Sequence, residues 1–209
     1  YNEDALRDAG FVDEQGKAVP PADWEDLRRY ASALTEHDSQ GNMTRLGFAP
    51  NFGNSWLYIY GFLNGGSFMS EDGVTVTMNE PRITEALAYM ATLYNDVGGV
   101  RQTDAFLGAA TGEEFDPFAI GRVAMKIDGS WQLRAMAEYH PSARFRVAPP
   151  PAPKGKQPVS WSGGYSYVIP VGTKHPEKSF ELIRFLVSDE GWEIQHDVNS
   201  RYASSRGLA

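Results

Sequence analysis

The segment Gly121–Trp131, which reads GRVAMKIDGSW, joins the pattern of a buried strand to that of a helix start. Apolar residues alternate with other residues over 123–127, which predicts a β-strand with one apolar face. The Asp-Gly pair that follows ends the strand, and Ser130 is a favourable N-cap for a helix. In α/β sheets this edge is where small ligands bind. Trp131 is therefore a candidate pocket residue, and the alternative is that its ring covers a hydrophobic core.

The composition bounds the class of protein. The chain has 209 residues, enough for one large domain, and its hydrophobic fraction of 42% with 22% charged residues is ordinary for a globular protein. The absence of cysteine excludes disulfides, thiolate metal sites and cysteine nucleophiles. The net charge of -8 argues against non-specific binding to nucleic acid or to an anionic membrane.

Strand and helix patterns alternate along the chain, which predicts an α/β fold. The clearest helix runs from Pro81 to Val97, with apolar residues at a period of 3.6 and a Gly-Gly pair after it. A second amphipathic helix is predicted over 176–187, with an inward face of Phe180, Ile183, Leu186 and Val187. Other helices are predicted over 24–35, 55–63, 131–139 and 190–198, and short strands over 46–49, 74–77, 145–147 and 165–169.

Catalytic patterns are weak. The four histidines are scattered, and the sequence contains no zinc-protease, nucleophile-elbow or phosphate-loop motif. Glu113, Glu114 and Asp116 form the nearest carboxylate cluster. Its favoured interpretation is charge complementation of a helix start, and a glycosidase pair is the alternative.

The stronger signal is a set of tryptophans beside polar loop residues. Trp56, Trp131 and Trp161 each adjoin Gly, Ser or Asn at the end of a predicted element, whereas Trp24 and Trp192 lie on helix stripes typical of a core. Indole rings stack on the C–H faces of sugars, and small polar groups bind the hydroxyls. We expect ligand contact for Trp131 and Trp161. Trp56 fits ligand contact and core packing equally.

Several motifs, taken together and in order, resemble the extracellular solute-binding proteins of family 1, the maltose-binding-protein-like receptors of ABC sugar importers. The resemblance covers nearly the whole chain. It is carried by residues 1–10 (YNEDALRDAG), 21–27 (PADWEDL), 63–66 (LNGG), 121–131, 149–151 (PPP), 163–164 (GG) and 175–186 (HPEKSFELIRFL).

The resemblance implies a periplasmic-binding-protein-like (type II) lobe, a mixed sheet flanked by helices, in a two-lobed protein that closes on its ligand by a hinge. Residues 1–158 would form the C-lobe and 159–164 a hinge crossing. Residues 165–198 would supply a strand and helices that return to the N-lobe, and 199–209 a final hinge crossing. Most of the N-lobe would be missing, so the chain would be a fragment of a longer parent.

The resemblance also implies which residues touch a ligand. Trp131 matches the stacking aromatic residue, and Trp161, Gly163 and Gly164 match the hinge segment that touches ligand. Asn54 and Trp56 lie in the loop and helix start that face the cleft. Arg201, from the last crossing, is a weaker candidate, and a solvated surface arginine is its alternative. No cofactor or metal is expected.

The predicted function is that of a non-catalytic, extracytoplasmic receptor that binds a mono- or oligosaccharide. Its partners would be the sugar and a membrane permease, with no nucleic acid. The parent would be periplasmic or extracellular, with a lipid anchor left open. The alternatives are a ligand that is a polyol phosphate, an osmolyte or a peptide, a glycoside hydrolase that uses Glu113, and a fragment that self-associates through exposed apolar surface.

Overall fold

A computed structural model describes residues 1–108, 115–160, 163 and 166–199. Its elements, in chain order, are α1 (Glu3–Asp8), α2 (Trp24–Ala33), β1 (Glu36–His37), β2 (Met43–Gly53), α3 (Leu57–Leu63), α4 (Pro81–Asp96), α5 (Val100–Leu107), β3 (Val123–Ile127), α6 (Trp131–Tyr139), α7 (Pro176–Leu186) and α8 (Asp189–Asn199). The chain divides into two compact units, Tyr1–Asp128 with Tyr139–Trp161, and Gly129–Glu138 with Ser162–Ala209.

The sheet of the first unit has the order β1-β2-β3. Strand β2 pairs antiparallel with β1 and parallel with β3, so the sheet is mixed. Leu46 lies opposite Val123 and Gly53 lies opposite Ile127, with an irregularity between these pairs. The strand predicted over 123–127 is confirmed, and the one predicted over 46–49 is longer than expected. The α/β fold class predicted from the sequence is therefore confirmed.

Helices cover this sheet through their apolar stripes. The side chain of Asp23 accepts hydrogen bonds from the amides of Glu25 and Asp26 and so caps α2. Helix α4 begins with a proline at its first turn, as its sequence predicts. The core that these elements share includes Leu27, Leu34, Leu46, Phe48, Ile59, Tyr60, Leu63, Ile83, Leu93, Val97 and Val123.

Helix α2 and strand β2 approach each other at a glycine. A Cβ atom at Gly47 would lie 2.1 Å from the carbonyl oxygen of Ala31, in the middle of α2. No side chain fits in that space, so glycine allows the helix to lie directly on the strand.

Three short strands predicted from alternation are not regular strands. Val76 makes an isolated bridge to Met69, and Phe145 makes one to Asn2. Residues 166–169 are assigned to no strand. Alternation marks a chain that can be extended, but a strand also needs a neighbouring strand to complete its backbone hydrogen bonds.

Helix α7 of the second unit forms where its periodicity predicts, but its inward face is not buried. No residue of α7 is buried, and Phe180 is 55% exposed. Ile183 and Leu186 are half-buried, and Val187, which follows the helix, is exposed. The periodicity sets which face is apolar, whereas burial depends on a neighbour that the same residues do not specify. Among the described residues, no helix is long and apolar enough to cross a membrane.

Candidate functional site

The carboxyl ends of β2 and β3 meet at one edge of the sheet in the first unit. The amide of Asn54 donates a hydrogen bond to the carbonyl of Ile127, at 2.8 Å. This bond joins the residue after β2 to the last residue of β3. The edge that the sequence predicted from 121–131 therefore also carries Asn54, and we refer to residues 53–56 and 127–128 as the carboxyl edge.

Gly53 permits this meeting of strand ends. Its φ is +67°, and a Cβ atom there would lie 2.7 Å from the carbonyl oxygen of Ile127 and 3.2 Å from Oδ2 of Asp128. Both the backbone angle and the space favour glycine. The side chain of Asp128 is therefore brought up against the end of β2.

Trp56 stands at the exposed end of this segment. Trp56 is the N-cap residue of α3 rather than part of the helix, and 47% of its surface is exposed to solvent. Its ring meets the ring of Tyr58 edge-on, with centroids 5.3 Å apart. The open indole face can stack on an apolar ligand surface.

The backbone beneath Trp56 is fixed by a buried hydroxyl pair. The hydroxyl of Tyr60 donates to the carbonyl of Pro50 at 3.0 Å, and Ser55 Oγ lies 2.6 Å from the same phenol oxygen. Since a phenol has one proton, Ser55 is the donor to Tyr60. Burial raises the pKa of Tyr60, so its hydroxyl keeps that proton.

A lysine lies within the carboxyl edge. Nζ of Lys126 is 2.6 Å from Oδ2 of Asp116 and 2.8 Å from Oδ2 of Asp128, and the lysine side chain is only 5% exposed. The ammonium also lies 5.4 Å from the ring centroid of Phe52 and 5.8 Å from that of Phe118. Both carboxylates therefore contact the same ammonium.

Asp116 is held by backbone as well as by lysine. Its Oδ1 accepts hydrogen bonds from the amides of Phe118 and Ala119, at 2.9 and 3.0 Å. Residues 117–121 form a turn and not a helix, so Asp116 holds a turn and does not complement the helix start that the sequence favoured for the acidic cluster. Glu113 and Glu114 lie outside the described residues. Where the chain is described, no group of three or more His, Cys, Asp or Glu side chains is arranged to hold a metal ion.

Trp131 begins α6 in the second unit, as predicted, and is 47% exposed. Its ring lies against the glycine two residues before it, because a Cβ atom at Gly129 would be 2.1 Å from Cζ3 of the indole. The amides of Gln132 and Leu133 donate to the carbonyls of Gly129 and Ser130. The indole of Trp131 thus packs directly against Gly129, the glycine of the Gly129-Ser130-Trp131 sequence.

The remaining predicted site residues are distributed as follows. Asn54 and Trp56 lie in the first unit, and Trp131 and Gly163 lie in the second. Gly163 is exposed and belongs to no helix or strand, and Trp161, Gly164 and Arg201 lie outside the described residues. Contact of these residues with a ligand stays a prediction.

Sequence reasoning missed Lys126 as part of the site, and it treated Asp128 only as a strand breaker. A signal was present. A lysine inside an otherwise apolar strand, with an aspartate two residues later on the same face, predicts a buried ion pair.

Comparison with known proteins identifies a family whose sequences match this chain. The sequence matches the bacterial extracellular solute-binding proteins over residues 1–207. A maltooligosaccharide ABC transporter solute-binding lipoprotein of Streptococcus pneumoniae is 33% identical over 81 residues, which are 38% of this chain and 19% of that protein. A probable ABC transporter-binding protein of Deinococcus radiodurans is 23% identical over 197 residues, 89% of this chain and 44% of that protein.

Solved structures share the fold. CpMnBP1 with mannobiose bound has a TM-score of 0.80 and 25% identity, over 97% of this chain and 50% of that one. An ABC substrate-binding protein of Listeria monocytogenes in complex with cycloalternan has a TM-score of 0.69 and 22% identity, over 99% of this chain and 50% of that one. The chain thus spans about half the length of these structures, and less of the relatives matched by sequence.

Proposed function

The chain belongs to the family of bacterial extracellular solute-binding proteins, and we propose that it is one part of a receptor that delivers a carbohydrate to an ABC importer. The ligand would be a mono- or oligosaccharide, held between two lobes by aromatic stacking and hydrogen bonds. A relative is a maltooligosaccharide receptor, and a solved neighbour has mannobiose bound. These ligands support a sugar as the first class to test.

The observation that carries this proposal is the composition of the carboxyl edge. Trp56 offers an exposed indole, and Asn54 and Asp128 directly follow the ends of two parallel strands. Apolar faces with polar rims are what a sugar presents to a protein.

The lobes and the remaining contacts are also part of the proposal. Residues 1–158 would form one lobe, and 159–164 and 199–209 would cross the hinge. Trp131, Trp161, Gly163, Gly164 and Arg201 would complete the ligand contacts from the second unit and the crossings. The family and the relatives are solute-binding receptors rather than enzymes, so we propose binding without turnover.

Isothermal titration of the whole protein tests this function. The panel should contain mannobiose, mannotriose, linear and cyclic maltooligosaccharides, a polyol phosphate, an osmolyte and a short peptide. We expect one class of neutral saccharide to bind and to be recovered unchanged. Binding of only the phosphate, the osmolyte or the peptide would contradict a sugar receptor, and release of hydrolysis products would contradict a non-catalytic one.

Two tryptophan variants test the site itself. Trp56→Ala and Trp131→Ala should each weaken binding of the preferred saccharide about tenfold or more, because stacking area is lost. Phe62→Ala is the matched control. Phe62 is also exposed and lies at the opposite end of α3, where its ring contacts Phe68 edge-on. Equal weakening by all three variants would remove the assignment of the tryptophans as contacts.

We further propose that the receptor works outside the cytoplasmic membrane, either free or lipid-anchored, and presents its bound sugar to a membrane permease. The relative from Streptococcus pneumoniae is a lipoprotein of an ABC transporter. Deletion of the gene should abolish uptake of the saccharide identified by titration. Unchanged uptake would contradict the transport role.

A further inference from the structure

We propose that Lys126 is a positioning residue that holds Asp128 and the end of β2 in the arrangement that a ligand meets. The inference rests on the proposed function, because it assigns a role within the same carboxyl edge. Lys126 does not itself touch the ligand in this scheme. It acts through Asp128, which follows Ile127, and through Gly53, which precedes Asn54; Asn54 and Ile127 are joined by the hydrogen bond described above.

The fixed point of the cluster is Asp116. Its Oδ1 is held by the amides of Phe118 and Ala119, so the carboxylate cannot turn without losing two backbone hydrogen bonds. Its Oδ2 accepts from Lys126 at 2.6 Å. The lysine is thereby anchored to the turn that precedes β3.

Lys126, held in this way by Asp116, also forms an ion pair with Asp128. Its Nζ is 2.8 Å from Oδ2 of Asp128, and the ammonium lies 5.4 and 5.8 Å from the ring centroids of Phe52 and Phe118. An ion pair in such a dry setting is strong and directional. Asp128 is therefore fixed by a chain of contacts that begins at Asp116.

The position of Asp128 determines what the end of β2 can do. Its Oδ2 lies where it would be 3.2 Å from a Cβ atom on Gly53, and the carbonyl of the preceding residue, Ile127, accepts the hydrogen bond of Asn54. A shift of Asp128 would therefore disturb Gly53 and Asn54 together. Asp128 is also the last residue of the first unit before the chain enters the second at Gly129.

Removal of the Lys126 ammonium would replace two attractive ion pairs with repulsion between the two carboxylates. The carboxylates of Asp116 and Asp128 both lie within 2.8 Å of Nζ, so without the cation they become like charges in close proximity. Like charges repel, so the two carboxylates should separate. Two backbone hydrogen bonds resist movement of Asp116, so we expect Asp128 to shift relative to it.

The test uses three variants of the whole protein. Lys126→Met removes the charge and keeps the length of the side chain, and Lys126→Arg keeps the charge. Lys156→Met is the matched control, because Lys156 also donates two short hydrogen bonds, to the backbone and side-chain oxygens of Asn64, away from the carboxyl edge. Each variant is titrated with the saccharide that binds the wild type most tightly in the panel above. Hydrogen exchange is measured without ligand on peptides covering 51–56 and 127–130.

We expect Lys126→Met to weaken saccharide binding at least about tenfold, Lys126→Arg to recover part of the loss, and Lys156→Met to bind as the wild type does. Amide exchange over 51–56 and 127–130 should rise in Lys126→Met only. Wild-type binding by Lys126→Met, or equal weakening by Lys156→Met, would overturn the positioning role. If the wild type binds no saccharide, the proposed function fails, and the exchange result still decides whether Lys126 holds the edge.

Discussion

The ammonium of Lys156 donates to two oxygens of Asn64, the backbone carbonyl at 2.5 Å and the side-chain carbonyl at 2.6 Å. The side-chain amide of Asn64 donates in turn to the carbonyl of Arg82 at 2.8 Å and to the Glu85 carboxylate at 3.0 Å. One asparagine thus joins the end of α3, the start of α4 and the loop that follows the proline run. This network explains why asparagine occupies the second position of the LNGG motif.

Replacement of Asn64 should therefore be costly. Asn64 is only 5% exposed, and Asn64→Ala would remove the side-chain oxygen that accepts from Lys156 and the side-chain amide that donates to Arg82 and Glu85. Of these contacts only the bond from Lys156 to the backbone carbonyl of residue 64 would remain. We expect a loss of about 2–3 kcal/mol in the free energy of unfolding, measured by urea denaturation. Asn42→Ala is the control, because the side-chain amide of Asn42 donates to Asp38 and Gln40 in an exposed loop. A loss no larger than that of the control would contradict the network.

The approach of α2 to β2 at Gly47 gives a steric prediction. Gly47→Ala would place a methyl group 2.1 Å from the carbonyl oxygen of Ala31, so the helix must move away from the sheet. We expect a destabilisation of about 3 kcal/mol, again by urea denaturation. At Gly16 the φ is +74° but the space around a Cβ is open, so Gly16→Ala should cost only about 1 kcal/mol. Equal costs would mean that helix and strand separate easily.

The pair of Glu3 and Arg146 gives a pH dependence. The hydrogen bond from the Arg146 guanidinium, 2.5 Å from Glu3 Oε1, lowers the pKa of Glu3 below its usual range. A carboxylate whose pKa is lowered by folding stabilises the folded state at pH values above its pKa in the unfolded chain, which is about 4.3. This stabilisation is lost as the pH falls through the pKa in the folded state. Glu3→Gln should therefore lower the melting temperature near neutral pH, and the difference from wild type should vanish in strong acid.

The double variant with Arg146→Gln checks the cause of this pH dependence. Without the guanidinium, replacement of Glu3 by Gln should change the melting temperature much less near neutral pH. Arg7 lies 3.6 Å from Glu3, so a small residual effect is expected. A pH dependence that persists undiminished in the Arg146→Gln background would exclude Arg146 as its source.

The contact of Gly129 with Trp131 gives a prediction for binding. A methyl group at residue 129 would overlap the indole ring, so Gly129→Ala should turn Trp131 out of place and weaken saccharide binding about tenfold. Because the ring is half-exposed, thermal stability should change little. The double variant Gly129→Ala/Trp131→Ala should bind no worse than Trp131→Ala alone. Additive losses would show that Gly129 acts by another route.

The parts of the fold that sequence predicted well are those that local patterns determine. The strand over 123–127, the start of α6 at Trp131 and the proline-led start of α4 each depend on residues within one or two turns of chain. The failures depend on distant partners. Residues 74–77 alternate correctly but have no strand beside them to form a ladder, and the described chain covers the apolar face of α7 only in part.

The candidate site divides in the same way. Trp131 and the Asn54–Trp56 segment could be selected from the sequence, because aromatic and polar residues at element ends are visible there. The Lys126 cluster could not, since Asp116 reaches the lysine only through the turn before β3. Gly53 likewise has no local signal, because its role depends on the carbonyl of Ile127 in another strand.

The two environments of tryptophan give the protein an internal optical reporter. Trp24 is stacked on Tyr89 at a centroid distance of 3.9 Å, and its ring nitrogen is shielded from water, whereas Trp56 and Trp131 are both half-exposed. Solvent-exposed indoles emit at longer wavelength and are quenched by iodide. A shielded indole emits at shorter wavelength and is not quenched by iodide. Trp56 and Trp131, which we propose meet the sugar, therefore contribute to the long-wavelength, iodide-sensitive part of the emission, so occupancy could be followed in the unlabelled protein.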